Sequence, residues 1–162
     1  MSVEFTQRVV DALEAEFTAS YGAALTSIDA TLAGVDQYYK YPVPVIGGDT
    51  LHVEFFESEV EFNEPYTDKS SGVNSFEGTY AVRFTLLNRS QLEAGDMVTN
   101  IRKYASAALK VVRDNPTLSD ACIIDTIADA WSHSWDIDGE EENKKLKLRG
   151  MLTLRIKVQE NV

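Results

Sequence analysis

Apolar and polar positions recur along this chain with two different periods, and the switches between them lay out the elements. Phe5, Val9, Leu13 and Phe17 stand four apart, with Val10 and Ala12 beside them and charges elsewhere. Residues 3 to 19 therefore read as a helix with one apolar stripe, and Tyr21-Gly22 is the expected stop. The segment "GAALTSIDATLAGVDQYYKYPVPVIGG" has no clean period and reads as loop, with room for a short strand or helix. Its prolines, Pro42 and Pro44, lack an N–H and restrict the residue before them, so they belong at a sheet edge or a lead-in.

"TLHVEFFES", from Thr50 to Ser58, alternates and puts Leu51, Val53 and Phe55 on one face. "GTYAVRFTLLNR" does the same with Tyr80, Val82, Phe84 and Leu86. The two runs are expected to pair across an exposed polar loop from Phe62 to Ser75. "SQLE", Ser90 to Glu93, has capping-box spacing and opens a second helix. Met97, Ile101, Tyr104, Ala105, Ala108, Leu109 and Val112 form that helix's apolar face, and "DNP" ends it.

The last third holds two long strand-like runs, "ACIIDTIADAWSHSW" and "KLKLRGMLTLRIKV", around "DIDGEEENKK". In the second run Leu146, Leu148, Leu152, Leu154, Ile156 and Val158 share one parity, opposite Lys145, Lys147, Arg149, Thr153, Arg155 and Lys157. One face is apolar and the other wet, which suits an antiparallel sheet covered on a single side. The fold class expected is α+β: a mainly antiparallel sheet of four to five strands with two principal helices packed on one face. Residues 1–162 form one domain, with extended loops at about 62–75 and 135–144.

Composition narrows the partners. With 26 acidic against 15 basic residues and a net charge of −11, the surface repels a phosphate backbone, which opposes any general grip on nucleic acid. Hydrophobic content of 44% with 25% charge is that of a soluble globular chain. Cys122, alone in "ACIID", excludes an internal disulfide and reads as a buried thiol. The opening "MSVEFTQRVVDALEAEF" shows no signal-peptide pattern, and no apolar run is long enough for a membrane span.

Candidate chemistry is sparse. His52 and His133 have no cysteine or second histidine at metal-binding spacing, so no metal site, cofactor site or catalytic set is assigned. His133, with Asp136 and Asp138 close in sequence, is the arrangement that would suit a small hydrolase or metal-dependent enzyme, but the strand–elbow–helix context of an exposed nucleophile is missing. Asp136, Asp138, Glu140, Glu141 and Glu142 resemble the start of a calcium loop, yet their flanks read as strands. Gly47-Gly48 lacks the lysine of a phosphate loop and reads as a turn. Glu54, Glu57, Glu59 and Glu61 read as the solvent face of an edge strand. Tyr38, Tyr39, Tyr41, Trp131 and Trp135 fit core filling and partner contact equally well.

The order of elements, with "YKYPVPV" before the first long strand, "IRKYASAALKVVRDNPTLSD" as central helix and exit, "DAWSHSW" at a strand end and "LRGMLTLRIKV" last, resembles the tail-terminator and tail-completion proteins of long-tailed bacteriophages. The resemblance implies a non-enzymatic virion protein of the tail or neck, assembled in the host cytoplasm. It implies a homohexameric ring on the head-proximal end of the tail tube that stops tube growth and joins the tail to the head connector. The partners implied are further copies of the chain, the tail-tube protein and the head–tail connector protein. DNA would pass through the ring without specific binding, past acidic walls, and no membrane is involved. Tyr66 in the first loop, with Trp135, Asp136, Asp138, Glu140, Glu141 and Glu142 in the second hairpin, are the candidate contact or channel-lining residues.

Overall fold

The apolar stripe that opens the chain does not stop at Tyr21-Gly22. In the computed structural model, which describes residues 2–43, 51–61, 74–87, 94–138 and 145–160, the first helix, α1, runs Ser2–Ile28. Its buried positions continue the four-residue step through Val9, Leu13, Phe17, Tyr21 and Leu25. Packing along that stripe outweighs the roughly 1 kcal/mol cost of a helical glycine at Gly22. The helix ends at Asp29, whose carboxylate accepts the Thr31 N–H at 2.9 Å.

A short strand, β1 (Gln37–Tyr39), follows. The alternating runs form β2 (Leu51–Glu61) and β3 (Asn74–Leu87). The second helix, α2, is described over Ala94–Asp114, and β4 (Ile123–Asp138) and β5 (Lys145–Glu160) complete the chain. Among the described residues these strands make one sheet in the order β1-β2-β3-β5-β4. β1 joins β2 in parallel, and every other pairing is antiparallel. Of the expected loop at 62–75, residues 62–73 lie outside the described residues and Asn74 and Ser75 begin strand β3; the capping box at Ser90–Glu93 and residues 139–144 also lie outside. Of the expected hairpin loop at 135–144, Trp135–Asp138 continue strand β4.

Both helices lie on one flank of the sheet. Leu51, Val53 and Phe55 from β2, Tyr80, Val82, Phe84 and Leu86 from β3, and Leu148, Leu152, Leu154, Ile156 and Val158 from β5 share a single core with the helix stripes. Each such side chain contributes about 1.5–3 kcal/mol by leaving water. Met97, Ile101, Tyr104, Ala105, Ala107, Ala108, Val111 and Val112 are the buried face of α2. Cys122 is buried and free.

Polar links fix the helices to each other and to the turn after α2. The buried Tyr21 hydroxyl donates to the Tyr104 carbonyl at 2.7 Å, and the Tyr104 hydroxyl donates to the Ala33 carbonyl at 2.7 Å. Lys103 Nζ reaches Asp29 at 2.6 Å. Arg8 on α1 reaches Asp120 at 2.9 Å, and the Asp120 carboxylate also accepts the Cys122 N–H at 2.8 Å. That turn carries Leu118 and Ser119 at positive φ, which lets Leu118 fold back into the core.

Candidate functional site

Three polar side chains of β2 and β3 that alternation assigns to the wet face of the sheet are buried instead. His52 and Glu54 are 1% and 0% exposed, and Thr85 is fully buried beside them. The register sets Glu54 opposite Arg83 and His52 opposite Thr85. Arg83 grips Glu54 with two nitrogens, Nε on Oε1 at 3.2 Å and Nη2 on Oε2. The Thr85 hydroxyl donates to Oε1 at 3.2 Å, and the Val43 N–H donates to Oε2 at 2.8 Å. His52 Nε2 stands 3.2 Å from Oε1, near enough to attract a carboxylate but off the line of a hydrogen bond, so neither ring nitrogen has a hydrogen-bond partner among the described residues.

What covers this cluster is the stretch after β1. The Tyr39 ring meets the His52 ring edge-on at 5.4 Å between centroids, and Val43 brings its N–H down onto the carboxylate. Arg83 also lies over the Phe56 ring, 5.0 Å from its centroid. Burial pushes the Glu54 carboxyl up, but attraction to His52 and Arg83 and the Val43 N–H outweighs it and holds the group at about 2. Glu54 is thus an anion at neutral pH, held by a cation, a hydroxyl and a backbone amide. The arrangement is a clamp between β2, β3 and the residues that leave β1.

The expected wet reading of Glu54 is therefore corrected. Glu57 and Glu59 are exposed, and a register shift separates them. Glu54 lies inward because β1 and the following residues cover the Leu51–Glu54 half of β2, whose partners are Gln37, Tyr38 and Tyr39. The missed signal was cross-strand: pairing Thr50–Ser58 with Gly78–Arg89 leaves Glu54 facing Arg83, an opposite-charge pair of the kind that stabilises a sheet.

The residues singled out in the second hairpin have register positions on β4. Trp135 pairs with Leu148 and is 41% exposed. Asp136 pairs with Lys147, and Asp138 with Lys145. His133 pairs with Gly150 and is exposed. The side chains of Asp136 and Asp138 lie outside the described residues. Tyr66, Glu140, Glu141 and Glu142 lie outside the described residues. Among the described residues no group of three or more His, Cys, Asp or Glu side chains could hold a metal ion, and no helix is long and apolar enough to cross a membrane.

The fold and the clamp define an α+β protein whose largely antiparallel sheet is sealed by helices on one flank. No protein-family model and no curated protein matches the chain. Among solved structures, a chain of the "Virion of native gene transfer agent (GTA) particle" is similar at 13% identity, covering 93% of this chain and 94% of that one with a TM-score of 0.49.

Proposed function

We propose that this chain is a structural protein of a phage-type virion: a tail-terminator or neck component that forms a ring on the head-proximal end of the tail tube. In this reading it ends tube growth, joins the tail to the head connector and leaves a channel through which DNA passes without specific binding. What supports the reading is one relationship: α1 and α2 seal a single flank of the sheet, in the order of elements on which the sequence resemblance rests. That arrangement makes a rigid body and leaves the other flank and the rims of the sheet for neighbours.

The polar chemistry of the chain fits a scaffold. The buried carboxylate of Glu54 is consumed by Arg83, Thr85 and Val43, and Asp29 and Asp120 are consumed by Lys103 and Arg8. A net charge of −11 suits a channel wall past which a polyanion slides. In this reading the loop around Tyr66 and the hairpin with Trp135, Asp136, Asp138, Glu140, Glu141 and Glu142 meet the tube, the connector or the lumen.

The test is mass photometry and electron microscopy of the purified chain mixed with tail tubes assembled from tube protein. The expected result is one ring at one end of each tube and arrested elongation. Tubes that keep growing with bare ends would sink the reading.

A further inference from the structure

The far rim of the sheet is unlike the rest of the surface. β4 is 16 residues long, and among the described residues it pairs on one side only, with β5. Three of the large apolar side chains most open to water stand on it: Ile124 at 41%, Ile127 at 47% and Trp135 at 41%. Proteins commonly protect such a rim with lysine, proline or a β-bulge; β4 contains no lysine or proline, and its bulges both fall before Ala130. Two register shifts bend it, between Ile123 and Asp125 and between Ala128 and Ala130, and from Ala130 to Asp138 the ladder is regular.

Along the ladder its acids are set against bases of β5. Asp125, Asp136 and Asp138 stand opposite Lys157, Lys147 and Lys145 in the register, and Asp129 holds Arg155 at 3.2 Å. The β4–β5 ribbon carries the acids Asp125, Asp129, Asp136, Asp138 and Glu160 against the bases Lys145, Lys147, Arg149, Arg155 and Lys157, so it is neutral within a chain of net charge −11. A second copy therefore meets no net charge of its own sign on this ribbon. A basic peptide, conversely, finds no net negative charge there.

We propose that β4 is the docking edge for a second copy of this chain, the two β4 strands pairing antiparallel about a two-fold axis to make one continuous sheet. An axis between Asp129 and Ala130 sets Ile124 of each copy opposite Trp135 of the other, covering both exposed side chains twice over. A 16-residue edge is about 50 Å long. Covered to a sheet thickness of about 10 Å over the part that overlaps about this axis, it buries roughly 900–1,000 Å² over both copies, the low end for a specific pair. This pairing goes beyond the tail reading, because a ring closes through head-to-tail contacts whereas this seam joins like to like, and it gives Trp135 to the second copy instead of the tube, connector or lumen.

The experiment is sedimentation equilibrium of the full chain, alone and as Ile127→Lys and Trp135→Lys, with circular dichroism to check the fold. The wild type is expected to have a two-chain mass, and each lysine to weaken the pair by more than about tenfold with the spectrum unchanged. A wild-type monomer at the highest soluble concentration overturns the proposal, as does a folded lysine variant that associates as tightly as the wild type. In a second measurement, Ile124→Cys and Trp135→Cys chains, both carrying Cys122→Ser, are oxidised separately and mixed. A disulfide-linked pair formed only in the mixture supports the seam, and linkage that is absent, or equal in the separate samples, overturns it. Tube capping is read independently: capping without pairing removes the seam alone, and pairing without capping removes the tail reading alone.

Discussion

Glu54 and Arg83 stand directly opposite each other on β2 and β3, and the guanidinium engages both oxygens of a carboxylate that water does not reach. An Arg–carboxylate fork of this kind adds direction as well as energy, because two parallel N–H donors fix the plane of the acceptor. The same carboxylate takes the Val43 N–H, so it also ties down the chain that leaves β1.

Replacing Glu54 with glutamine keeps the volume but removes the anion. Arg83 then loses its counter-charge, one of the two acceptor oxygens becomes an NH2 that faces other donors, and the expected loss is about 3 kcal/mol of stability. Urea denaturation of Glu54→Gln at neutral pH checks this. A midpoint equal to that of the wild type would show that the clamp contributes nothing.

The clamp has a definite pH dependence. Glu54 is held at about 2 in the folded chain, against about 4.3 for a free glutamate. A depressed carboxylate stabilises above its unfolded value and loses that stability as pH falls through the folded one. The loss from Glu54 therefore runs from about pH 5 down to about pH 2. Asp29, drawn down chiefly by its hydrogen bond from Lys103, acts in the same direction. In Asp120 burial pushes upward, but the Arg8 hydrogen bond and the Cys122 N–H outweigh it and the group ends lowered. Thermal melts of wild type and Glu54→Gln across this range should converge as the pH drops. Curves that stay parallel would deny Glu54 its role.

How far the sequence revealed all this depends on which neighbour decides each position. Alternation within one strand suffices for Leu51, Val53 and Phe55 or for Tyr80, Val82 and Phe84, because their flank is covered by helices that announce themselves through their own stripes. It fails at His52 and Glu54, where the cover is a three-residue strand and the non-periodic residues after it. No local pattern says that "YYKYPV" will lie across β2. The stop at Tyr21-Gly22 fails for a related reason. Tyr21 is a core residue whose ring packs at a tilt against Phe17 and Phe84, so tertiary packing carries the helix past a residue that local propensity disfavours. Asp136 and Asp138 in "DIDGEEEN" look like a loop by composition, yet pairing with Lys147 and Lys145 makes them strand.

The buried hydroxyls between the helices give a separate expectation. Tyr21→Phe removes the donor to the Tyr104 carbonyl and leaves that carbonyl without the partner, for an expected cost of about 1–2 kcal/mol. Tyr104→Phe removes the bond to Ala33 at a similar cost. Because the first bond ends on the backbone of the residue that makes the second, the double variant should deviate from the sum of the single ones. Chemical denaturation of the three variants measures the coupling, and strict additivity would count against a connected link.

Gly150 and Trp131 make the last test, on the helix-covered flank near the β4 rim. A Cβ at position 150 would collide with the edge of the Trp131 ring and stand 3.0 Å from Ile101 Cγ1. The ring lies there because Trp131 leans inward from β4, 6.2 Å from the Phe84 centroid. Gly150→Ala should therefore cost about 1–3 kcal/mol through overpacking, more than the loss of glycine flexibility would return. Trp131→Phe shortens the ring where the clash falls. It should cost stability in the wild-type background yet cost less, or even restore stability, beside Gly150→Ala. Urea midpoints of the two single variants and the double variant decide it. If the penalties simply add, the ring does not occupy the space over Gly150, and the inward lean of Trp131 is wrong.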